Sequence, residues 1–162
     1  MQNILVKNQT AKRKARALPT IVYGGLLIGV LDGIAALTNA GIRGVTPGRV
    51  FQYISSSVFG PESFERGTTT VILGIVLHFL VAFGVAIVFY LIARALPIVL
   101  DRAIISGIVY GIAVYFAMAY LIVPLSAVGQ GAFSWNGLIV SIIIHIFFVG
   151  LPVALIARRY AD

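Results

Sequence analysis

The apolar positions of this chain neither alternate nor gather on one helical stripe; they fill four long segments on every side. The segments cover approximately residues 19–40, 70–93, 103–126 and 137–157. A helix that crosses a bilayer needs roughly 20 mostly apolar residues, and each segment is long enough. A helix apolar all round is surrounded by lipid or protein rather than water. Strands of a membrane barrel would alternate over about ten residues, and no such alternation occurs. The pattern predicts an all-α fold, a four-transmembrane-helix bundle forming one domain over 19–158 behind a basic tail at 1–18. Pro19 suits a first helical turn, and Pro97 can stop the second span. Pro124 lies near the end of the third span, and Pro152, inside the fourth, should bend it.

The long connection between the first two spans has a pattern of its own. Thr46-Pro47 is a helix start, a capping residue followed by proline. Val50, Phe51, Ile54, Val58 and Phe59 then recur at helical spacing, with Arg49, Gln52, Ser55, Ser56 and Ser57 on the polar side. This predicts a short amphipathic helix in the first outer loop, lying on the membrane surface or capping the bundle, and ended by Gly60-Pro61-Glu62. A lid is the simpler reading of it, and substrate gating the sharper one.

Composition agrees with a lipid environment. Hydrophobic residues make up 60% of the 162 and charged residues 10%, with a mean hydropathy of +1.03. Soluble domains carry about 25% charged residues, so too few are present here to clothe a water-facing surface. Cys is absent, which excludes disulfides, thiolate metal sites and a Cys nucleophile.

The net charge of +7 does not form a nucleic-acid footprint, because the basic residues mark the ends of spans. Lys7, Lys12, Arg13, Lys14, Arg16, Arg94, Arg102, Arg158 and Arg159 fall on one side, and Arg43, Arg49 and Arg66 on the other. The positive-inside bias puts both termini in the cytoplasm. A secretory signal ending at Thr38-Asn39-Ala40 is the competing reading of the N-terminal segment. The glycine pattern of that segment favours a packed helix. Tyr23, Trp135 and Tyr160 sit near span ends as interface anchors.

Helices in lipid associate through small residues. The first span carries Gly25, Gly29 and Gly33, and the third carries Gly107 and Gly111, all at GxxxG spacing. These stripes predict contacts within the chain or a homodimer seam. A faint repeat accompanies them: GxxxG on the first and third spans, a lone His on the second and fourth. It would relate two hairpins by a pseudo-twofold along the membrane normal.

Three ionisable residues lie inside spans, where such groups are costly and mark a functional site by default. Asp32, His78 and His145 each lie about eight residues from the outer end of their span, roughly 12 Å deep, in one layer. Gly74 and Ala82 flank His78 and leave room for its ring, and Ser141 precedes His145 by one turn. Tyr115 is close to the layer and Tyr120 a little nearer the outside. These five residues form the expected buried polar cluster.

The cluster admits several chemistries. It can be a structural network in which Asp32 accepts hydrogen bonds from His or Tyr. It can handle protons, since imidazole titrates near neutrality, and could then serve a small proton-coupled transporter. His78 and His145 are possible ligands of a b-type haem in an electron-transfer membrane subunit, with Arg43, Arg49 or Arg66 meeting the propionates. The two His with Asp32 also match metal-ligand types, the metal being unspecified. No cofactor is expected from a motif, and HExxH, GxSxG, Walker and Rossmann patterns are absent, so no enzyme is expected. The expected partners are the lipid bilayer and a second copy or larger membrane complex, not nucleic acid.

The chain resembles the YagU-like group of uncharacterised bacterial inner-membrane proteins. The matching features are Gly60-Pro61-Glu62-Ser63, His78 with Pro97, Gly107 and Gly111, Pro124-Leu125, and the stretch from Phe133 to His145. They extend over about residues 20–157. The outer loop here is shorter, and Asp32 has no counterpart in the family pattern. The resemblance implies an inner-membrane location and this architecture, without an activity or a cofactor.

Overall fold

The computed structural model describes residues 14–127 and 133–162. Lys7, Lys12 and Arg13 of the basic tail, and part of the uncharged loop before the fourth span, lie outside the described residues. Among the described residues there is no strand, and four helices are long and apolar enough to cross a membrane. They are α1 (Ala17–Ile42), α3 (Thr68–Ala95), α5 (Ala103–Leu125) and α6 (Trp135–Arg159). Between them lie α2 (Pro47–Phe59), a 3-10 turn at Pro61–Phe64 and the short α4 (Ile98–Asp101). The all-α four-span architecture expected from hydropathy is therefore present. "Outer" below denotes the end of the bundle away from the chain termini.

Two of the spans are not purely α-helical. Met118–Ile122 in α5 and His145–Gly150 in α6 are π turns, each ending just before Pro124 or Pro152. Proline offers no N–H to the carbonyl four residues back, and its ring crowds that carbonyl. A π turn takes up the mismatch by adding a residue to the turn. The disturbance expected at Pro152 thus lies one turn earlier than the proline itself.

Glycine sets the helix pairing. α1 packs along α3, and the rings of Phe83, Phe79 and His78 occupy the places where Gly25, Gly29 and Gly33 carry no side chain. α5 and α6 meet backbone to backbone. A Cβ on Gly111 would lie 2.5 Å from the His145 carbonyl oxygen, and one on Gly107 would lie 2.9 Å from that of Gly150. The predicted stripes are therefore contacts within the chain, with Gly150 as a third member that the GxxxG pattern did not reveal.

α1 also packs against α6, whereas α3 and α5 barely touch. Their bridge is Tyr110, which donates a hydrogen bond to the Val85 carbonyl (2.6 Å) and sets its ring edge-on to Phe89, centroids 5.1 Å apart. The two hairpins thus meet mainly along α1 and α6, and the expected pseudo-twofold is not kept. The core is densest at the inner end, where Phe89, Ala93, Leu100, Ala103, Val153 and Ala157 are buried.

The outer-loop helix is present, but it faces the other way from a water-surface helix. Gln52, Ser55 and Ser56 are buried, while Tyr53, Val58 and Phe59 are exposed. Ser55 donates to the Thr70 carbonyl (2.5 Å) and Gln52 to that of Gly67 (3.3 Å). The Phe51 backbone occupies the recess at Gly74 of α3. The inversion follows from the solvent: in lipid, small and hydrogen-bonding residues belong between helices and apolar ones outside. At its far end, the Ser57 carbonyl accepts from the Ala127 amide at the end of α5 (3.0 Å), so α2 crosses above the gap between α3 and α5.

Candidate functional site

The polar layer lies where three columns of side chains emerge from the packed inner half. Gly24 is the point where the columns meet: a Cβ there would lie 3.3 Å from Val153 and 3.7 Å from Ala86. Stepping outward by one turn, Ile28, Ala82 and Val149 are 2%, 4% and 3% exposed. The next turn brings Asp32 on α1, His78 on α3 and His145 on α6, all half-buried. Asp32 thus belongs to the face of Gly24 and Ile28, beside the glycine stripe rather than on it.

The two imidazoles are held differently. His78 donates from Nε2 to the Gly29 carbonyl oxygen of α1 (2.8 Å). That oxygen already serves its own helix and uses its second lone pair here. Gly33, one turn on, allows the approach, since a Cβ there would sit 3.3 Å from the same nitrogen. The Phe79 ring stands edge-on to it, centroids 5.6 Å apart. His145 instead donates from Nδ1 to the Ser141 carbonyl of its own helix (2.8 Å). A carbonyl only accepts, so the two rings carry the donated proton on different nitrogens, Nε2 in His78 and Nδ1 in His145.

Tyr115 joins His145 through an edge contact, ring centroids 5.7 Å apart. Tyr120 is 49% exposed and stacks on Phe116, so it lies outside the layer. Asp32 makes no hydrogen bond or ion pair among the described residues. The expected five-residue network is therefore a His78–α1 contact, a His145–Tyr115 contact and a lone carboxylate at one depth.

This geometry does not fit a b-type haem between the two His. The outward nitrogen of His78 is taken by Gly29, and the recess at Gly74 that was to admit a ring is filled by Phe51 of α2. Nor do Asp32, His78 and His145 assemble a metal site: among the described residues, no three His, Asp or Glu side chains are placed to share an ion.

Tyr110 escaped the sequence reading, although its place between Gly107 and Gly111 on the packed face of α5 was a usable signal. Compared with protein families, curated proteins and solved structures, the chain matches none.

Proposed function

We propose that this chain is a non-enzymatic component of the bacterial inner membrane whose bundle interior takes up and releases protons at Asp32. The four spans support the membrane assignment, and the charge asymmetry of their ends supports cytoplasmic termini. The likeness to the YagU-like group supports the same location.

The observation that carries the proton reading is the solitary state of Asp32. A carboxylate inside a span costs several kcal/mol unless it is paired, hydrogen-bonded or functional. A purely structural Asp recovers that cost through donors, and Asp32 has none among the described residues. It is also half-buried rather than sealed, beside a bundle whose α3 and α5 hardly touch. His78 and His145 lie one turn beyond the same buried layer, each with one ring nitrogen that has no partner among the described residues.

The test is proton flux into liposomes carrying a trapped pH dye after an external pH jump. Wild type should exceed empty vesicles, and Asp32→Asn should return to their level. Wild-type flux equal to that of empty vesicles would refute the proposal and leave the layer structural. The hydrogen bonds from His78 to Gly29 and from His145 to Ser141 favour that second reading for the imidazoles alone.

A further inference from the structure

A second polar feature lies at the outer end, apart from the Asp32 layer. The last turns of α1, the start of α2 and the 3-10 turn enclose a cavity of about 430 Å³. Arg43, Arg49, Asn39 and Tyr53 supply its polar lining, and Val50 and Phe64 part of its apolar wall. Among the described residues, no carboxylate lines it. Neither arginine has an ion pair among the described residues, and the nearby Glu62 is engaged by Arg66. The Arg49 guanidinium carbon lies 4.7 Å from the Phe64 ring centroid. α2 begins at the cavity rim, and Thr46 makes no side-chain cap, so the positive end of a 13-residue helix adds to the field.

Two guanidiniums, an amide and a phenol with no acid among them are a phosphate-type environment. The surroundings indicate where the anion comes from. Val45 and Tyr53 of its lining are 40% and 48% exposed, Ile42 next to Arg43 is 82% exposed, and the outward face of α2 adds Val58 and Phe59. Such a rim is stable in lipid, so a bilayer headgroup meets the cavity from the side. We propose that this cavity binds the phosphate group of an anionic phospholipid in the leaflet away from the termini, with Arg43 and Arg49 as its ligands.

The test is native mass spectrometry of the full chain, delipidated in detergent and given phosphatidylglycerol, phosphatidylcholine or inorganic phosphate separately. Wild type should retain phosphatidylglycerol over phosphatidylcholine. The double variant Arg43→Gln/Arg49→Gln should lose that retention at least tenfold. Arg66→Gln, outside the cavity, should match wild type. Circular dichroism checks that each variant is folded, and Arg43→Gln alone serves if the double variant is not. Retention unchanged by loss of the cavity arginines would overturn the site. Arginine-dependent retention of inorganic phosphate without phosphatidylglycerol would overturn the lipid as its source.

Discussion

The seam between α5 and α6 makes the sharpest stability prediction, through Gly111→Ala. The added Cβ would lie 2.5 Å from the His145 oxygen, 2.8 Å from the Ile146 Cα and 2.9 Å from the His145 carbonyl carbon. All three are backbone atoms, so no rotamer change relieves the clash. The helices must separate by roughly 1 Å to regain van der Waals contact. Overpacking of this kind costs about 1–3 kcal/mol. Alanine's better helix propensity returns at most about 1 kcal/mol. The clash should win, because Gly107 and Gly150 lie in the same close contact and separation loosens all three. We expect a net loss of about 1–2 kcal/mol in reversible unfolding in mixed micelles. Gly84→Ala is the control, since nothing lies within 4 Å of its Cβ position. It should be neutral or slightly stabilising. Gly25→Ala should fall between, because its obstacle is the Phe83 ring, which can turn. Gly111→Ala as stable as Gly84→Ala would refute the backbone-to-backbone seam.

Two further substitutions test the seating of α2 and the link between α3 and α5. Ser55→Ala removes the buried hydrogen bond to Thr70 and should cost about 1 kcal/mol, seen as faster amide exchange across α2 with the spans unaffected. Tyr110→Phe removes the bond to Val85 and should cost a similar amount. It should also broaden the spin-label distance distribution between the outer ends of α3 and α5, and an unchanged distribution would mean the gap is held by something else.

The four spans are legible in the sequence because lipid imposes one requirement, length with little charge, which survives any detail of packing. The spacing of Asp32, His78 and His145 along their spans can be counted for the same reason, since the rise of a helix is fixed. Direction is not. The facing of α2 depends on which solvent meets its apolar side, and the pattern of Val50, Ile54 and Val58 is the same for either. The setting of His145 depends on a π turn that adds a residue to its helix. Gly74 was expected to leave space for a ring and Gly150 belonged to no stripe, yet both places are filled by another helix's backbone. The partner of a small residue is not written beside it.

The pairing of the spans also decides what can move. α5 and α6 touch peptide against peptide, with no side chain between them to yield, and α1 is keyed to α3 by seated rings. Each pair is stiff. They are bound along the α1–α6 side like pages to a spine, while outward of Tyr110 the α3 and α5 edges are linked through α2, whose Ser57 carbonyl accepts from the Ala127 amide. Any widening around the carboxylate therefore turns one rigid leaf against the other, with no helix having to melt.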